Sequence, residues 1–183
     1  MKKIFAILLA LCCIGFCCLA MVEDCRYTTT EPLESEDYTL TLPEKTRYKL
    51  TGKVSGLDFL TFFPYSSEGQ VRENVKMAWY GYPLEVSTKD VDRYWQANRS
   101  TILKLLQDSG IRAKSFQSEK AYDATLCGQP CIIINHKMFG GMLYTYQRTI
   151  YFTNQGYHLT ITAFSEENIQ KITDLIDTAL TWK

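Results

Sequence analysis

Three strand-length stretches in the second half of the chain constrain its fold most. Residues 130–138, 143–153 and 157–164 are rich in β-branched and aromatic side chains. Gly140-Gly141 and Asn154-Gln155-Gly156 separate them, and both runs are turn formers. The spacing predicts an antiparallel three-strand meander. Ser165 follows as a helix cap, and Glu166 and Glu167 suit the positive N-terminal end of a helix. Ile169, Ile172, Leu175, Ile176, Ala179 and Leu180 form one apolar stripe on that helix, with Trp182 just past it.

Upstream, Tyr38-Thr39-Leu40-Thr41-Leu42 alternates with period two and stops at Pro43. Residues 57–63 give a Phe-rich strand ended by Pro64, 66–70 a turn, and 74–82 an aromatic strand ended by Pro83. Ser87 and Asp90 then open a helix. Its stripe holds Val91, Trp95, Ile102, Leu105 and Leu106, is interrupted by Asn98, and stops at Gly110. About twenty residues make a rod of ~30 Å, enough to cross a sheet. Residues 112–117 form one more strand. The order β-β-β-α-β-β-β-β-α predicts an α+β fold, an antiparallel sheet with a long central helix and a C-terminal helix packed on it.

The N-terminus has the layout of an export signal. Lys2 and Lys3 precede 17 uncharged residues from Ile4 to Ala20, and Glu23 and Asp24 follow. Cleavage after Ala20 places Cys18 and Ala20 where small side chains are needed. An uncleaved anchor is the alternative, since the stretch sits at the low edge of the ~17–25 residues that span a bilayer. A lipidated N-terminus is the third option, but no Cys follows the expected Gly, Ala or Ser. The expected organisation is a signal or anchor over 1–20, a flexible acidic linker over 21–37, and one domain over 38–183. With 20 basic and 20 acidic residues, the chain carries no global electrostatic footprint for nucleic acid. A composition of 46% hydrophobic residues excludes a disordered chain.

Of the seven Cys, four lie in the apolar N-terminal stretch, which leaves Cys25, Cys127 and Cys131. The run Cys127-Gly128-Gln129-Pro130-Cys131 places two thiols around a turn, which suits a local disulfide. Ordinary buried thiols, or a metal site completed by His136 or His158, are the other readings. Cys25 is left odd, as a free thiol or an intermolecular bridge.

Two-residue turns in the meander would set His136 opposite Thr145 and His158 opposite Tyr151. Both histidines would then share a sheet face with Thr145, Gln147, Thr149, Thr160 and Thr162, either as a polar ligand patch or as a solvated face. The aromatics Trp79, Tyr80, Tyr82, Tyr94, Trp95, Tyr144, Tyr146 and Tyr151 offer either a core or an exposed patch for a partner. No Gly-x-Ser-x-Gly elbow and no Gly-rich phosphate loop is present, and no cofactor is implied.

The element order carries a family resemblance. A strand ends in Leu42-Pro43, and a Phe-rich strand ends in Phe62-Phe63-Pro64. A further strand and a long helix over 91–106 precede the Gly turn at Cys127-Gly128-Gln129-Pro130 and the aromatic meander. Tyr157-His158-Leu159-Thr160 then leads to a helix ending Thr178-Ala179-Leu180-Thr181-Trp182. This resembles the PsbP-like superfamily over about residues 38–182, by element order and not by a signature motif. The resemblance implies an accessory or binding domain, and with the export signal it points to the exported bacterial branch, of the DcrB type. No functional residue carries over.

The expectation is an exported, non-enzymatic domain that binds an unidentified protein or small-ligand partner at the bacterial cell envelope. Two alternatives stand: a small-ligand or metal-binding protein using Cys127, Cys131, His136 and His158, and an unrecognised hydrolase.

Overall fold

The computed structural model describes residues 27–54, 57–64, 73–79, 91–108, 116–139 and 144–183. The segment 1–20, Cys25, the 66–70 turn, Tyr80, Tyr82, Pro83, Ser87, Asp90, Gly110 and the Gly140-Gly141 turn lie outside these residues. Among the described residues no helix is long and apolar enough to cross a membrane.

The meander forms as β9 (Gln129–Phe139), β10 (Tyr144–Phe152) and β11 (Tyr157–Ala163). Its clearest strand is β11, where Tyr157, Leu159, Ile161 and Ala163 are buried and the residues between them are half-buried. This two-residue alternation gives the sheet one strongly apolar face. Helix α2 (Glu166–Ala179) covers that face with Ile169, Ile172 and Ile176. Ser165 starts α2 by accepting the Asn168 N–H through Oγ at 3.1 Å.

The sheet extends on both sides of the meander. β6 (Asn74–Trp79) joins β11, followed outward by β5 (Leu57–Phe63), β4 (Arg47–Val54) and β1 (Tyr27–Thr28). On the far side β9 pairs with both β7 (Phe116–Ser118) and β8 (Tyr122–Leu126). All these pairings are antiparallel, so the α+β architecture is present, with strand predominating. The long central helix is not. Helix α1 (Val91–Asp108) has 18 residues, about 27 Å at 1.5 Å per residue. It lies against the sheet face opposite α2, where Val91, Tyr94 and Trp95 pack on Ala121, Ile132 and Ile134.

Part of the acidic stretch expected to be a linker is built into the fold. Tyr27–Thr28 pairs with β4, and β2 (Leu33–Glu34) pairs with β3 (Tyr38–Leu40). β12 (Leu180–Trp182) then pairs with the other edge of β3. The reason is that polar side chains here find partners. The Asp37 carboxylate accepts the Tyr157 hydroxyl at 2.8 Å, and Lys183 Nζ lies 2.6 Å from Glu34 Oε2. Tyr38, Phe152 and Tyr157 surround the Trp182 ring at centroid distances of 6.1, 5.1 and 5.5 Å. Aromatic contacts of this kind add ~0.5–1.5 kcal/mol each beyond area burial.

Truncating Trp182 therefore releases both chain ends of the small sheet. Trp182→Ala is expected to cost at least ~2 kcal/mol, below the loss for a fully buried Trp because this ring is partly exposed. Urea denaturation measures the cost, and limited proteolysis should show faster cleavage between residues 27 and 40. An unchanged cleavage pattern would mean that the small sheet does not depend on this ring.

Candidate functional site

The sheet separates the residues singled out in the sequence. His136, His158, Thr145 and Gln147 do share one face, as their register shows. The pairing differs from expectation at one end. His136 faces Gln147, and Thr145 faces Met138, because the β9–β10 connection runs from Phe139 to Tyr144. His158 faces Tyr151 as expected. The face around His136 is not solvated. Helix α1 covers it, and His136 is 2% exposed.

Asn98, the polar interruption in the α1 stripe, makes the connection. Its amide Nδ2 donates to the Tyr151 hydroxyl at 2.8 Å. Its Oδ1 lies 2.5 Å from His136 Nε2, which places the ring proton on Nε2. His136 Nδ1 is buried with no hydrogen-bond partner among the described residues. The Phe116 ring, centroid 5.2 Å away, adds apolar cover. Burial accordingly pushes the His136 pKa down to about 4. His158 shifts in the same direction for the same reason. Both groups are held in a form that is neutral at pH 7, and the network ties α1 to the sheet.

Cys127 and Cys131 lie elsewhere. Strand parity puts Cys131 on the α2 face, one side chain out of phase with His136. The Cys and His pairs cannot converge across the sheet, and among the described residues no group of three His, Cys, Asp or Glu could hold a metal ion.

The expected Cys127–Cys131 disulfide is absent, and both thiols are free. The two-residue Cys127-Gly128 turn has φ of 52° and 70°, the signature of a type I′ hairpin. Cys127 sits at the turn with its thiol directed to the Ile176 carbonyl at 3.4 Å, while Cys131 faces Ala124 across the strand pair. Burial, with Asp177 nearby, pushes the Cys127 thiol up to about 12 and the Cys131 thiol up to about 11. Such thiols stay protonated, which makes them weak nucleophiles and poor metal ligands.

A polar cleft of about 380 Å³ opens on the α2 face, where the sheet extends past the first turn of that helix. Sequence reading missed it, because its floor is assembled by pairing between distant strands. One cross-strand row is Gln117, Lys137 and Tyr146. The next is Asn135 and Arg148, with Glu119 accepting the Asn135 amide at 3.0 Å. Arg148 donates to Asn135 at 2.9 Å, Gln170 at 3.0 Å and Thr173 at 2.9 Å. Lys137 Nζ sits 4.6 Å from the Tyr144 ring centroid and 4.9 Å from that of Tyr146. A hydrogen bond to Tyr146 raises the Lys137 pKa, opposed by desolvation and helped by nearby Glu166.

At the rim, Tyr144 is 48% exposed and Phe139 is 40% exposed, their centroids 4.9 Å apart. They continue through Tyr144–Tyr146 at 6.4 Å into the cleft wall. The sequence signal that could have found this end of the hairpin is the density of aromatics flanking the Gly140-Gly141 turn. Of the aromatics named from sequence, Trp95 and Tyr151 instead belong to the α1 interface.

Two outcomes follow. The His136 pKa lies below its unfolded value of 6.5, so the unfolded chain binds the proton first as pH falls. This contribution is complete above pH 6.5, is lost down to about pH 4, and is constant below. The loss is ~3 kcal/mol at most. Thermal midpoints at pH 7 and 4.5 should therefore differ less in His136→Gln than in the parent, and equal differences would contradict it. Separately, Cys127 and Cys131 should resist alkylation in the folded protein and react on unfolding without prior reduction. A requirement for reductant would restore the disulfide.

No protein-family model matches the chain, and no curated protein matches it. Among solved structures, the chain is similar to LpqN of Mycobacterium tuberculosis, described as involved in cell envelope biogenesis. The identity is 15% and the TM-score 0.38, over 86% of this chain and 92% of that chain.

Proposed function

We propose that this protein is an exported, non-enzymatic accessory domain of the PsbP-like type that binds a partner at the bacterial cell envelope. The observation that carries the reading is the exposed aromatic end of the β9–β10 hairpin. Phe139 and Tyr144 are large hydrophobic side chains left in solvent, and Lys137 adds a cation on the Tyr144 ring. Tyr and Phe are enriched at protein interfaces, and Tyr is among the residues that dominate their binding energy. Their position at the end of a strand pair lets a partner approach without disturbing the core. The N-terminal sequence, with Lys2 and Lys3 ahead of an uncharged stretch, supports export. The order of strands and helices supports the PsbP-like assignment.

Site-specific photocrosslinking in an exporting host tests the partner surface. A benzophenone amino acid at position 139 or 144 should give a discrete adduct. The same probe at Tyr122, exposed on the distant strand β8, should not. Lys137→Glu should weaken the adduct. Equal labelling at all three positions, or none, would sink the reading. Fractionation of the same cells should place the protein outside the cytoplasm.

A further inference from the structure

We propose that the cleft beside the first turn of α2 is a saccharide site, shaped for a neutral polyhydroxylated ligand. It adds a small-molecule ligand to the partner surface and shares only Lys137 with it. Its volume, about 380 Å³, lies in the range of small-ligand pockets.

Three features of the lining select the ligand chemistry. The first is the kind of polar group. Gln117, Glu119, Asn135, Arg148, Glu166 and Gln170 all end in planar carboxamide, carboxylate or guanidinium groups. Such groups donate or accept in pairs, which suits the closely set hydroxyls of a sugar ring, each both donor and acceptor. Ile169 is the one aliphatic side chain on the lining, so an apolar ligand would strip water from these polar groups without replacing it.

The second feature is charge. Lys137 and Arg148 are balanced by Glu119 and Glu166, with Lys137 Nζ 3.9 Å from Glu166. An anion would meet two carboxylates, and a cation would meet an ammonium and a guanidinium. A neutral ligand meets neither repulsion.

The third feature is order before binding. Arg148 is already fixed by Asn135, Gln170 and Thr173, and Asn135 is fixed in turn by Glu119. Adjacent strands stand ~4.8 Å apart and same-face residues along a strand ~6.7 Å apart, so the two rows form a rigid polar lattice. Side chains held in place before the ligand arrives reduce the entropic cost of binding.

The full chain isolated from an exporting host should be titrated with cellobiose, maltose and N,N′-diacetylchitobiose at millimolar concentrations. Calorimetry gives affinity, and the NMR signal of the Arg148 Nε–H reports location. At least one probe should bind saturably and move that signal. Gln117→Ala removes an exposed side chain at the cleft and should leave folding intact, as circular dichroism will verify. It should weaken binding about five- to tenfold, the worth of one hydrogen bond. Gln170→Ala is the second variant. The proposal is overturned if no probe binds saturably, or if neither variant weakens binding. Tighter binding of galacturonate or inorganic phosphate than of the neutral sugars would overturn it as well, in favour of an anion site. Phe139→Ala should weaken the partner adduct formed from position 144 yet leave sugar binding intact, so the two readings fail separately.

Discussion

Burial of one face of β9, β10 and β11 beneath α2 is the interaction on which the rest of the structure depends. Ile150, Phe152, Leu159 and Ile161 are at most 1% exposed there, against Ile172 and Ile176 of the helix. Strand side chains alternate, so this contact fixes register throughout the meander. A slip of one residue would turn Arg148 toward α1 and place His136 beneath α2. The opposite face and the open end of the sheet both inherit their chemistry from that choice.

Two polar networks result, with different physical characters. Asn98, His136 and Tyr151 form a neutral network under α1, where water is excluded and ionisation is opposed. A polar contact of this kind specifies how a helix docks more than how tightly it binds, because alternative dockings would leave buried amide and imidazole groups unpaired. Glu119, Asn135, Arg148 and Gln170 form a charged network open to solvent. There the ions keep much of their hydration, so the arrangement costs little and remains available to a ligand.

Legibility in the sequence followed locality. The β5 strand, the meander and the C-terminal helix were legible because their patterns are short-range and bounded by Pro, Gly or Ser. The length of the β9–β10 turn was misjudged, which moved the partner of His136 from Thr145 to Gln147. That error is an even number of residues, so side-chain parity survived and the shared face was still correct. The strands β4, β8 and β12 were not legible. β4 reads Arg-Tyr-Lys-Leu-Thr-Gly-Lys-Val and is held by its neighbours, β8 is an edge strand with three exposed residues, and β12 continues directly from a helix. The cleft was hidden for a related reason: Gln117, Lys137 and Tyr146 become neighbours only through two strand pairings. Asn98 was visible as a flaw in an apolar stripe, and its meaning required the strands opposite.

The pairing of β12 with β3 has a kinetic consequence. Residues 180–182 bond to residues 38–40, so the small sheet cannot close until the segment near residue 182 is free to fold back. Such long-range closure makes folding slow and late. In a chain made N-terminus first, β2 and β3 therefore wait for β12, while the large sheet closes without it.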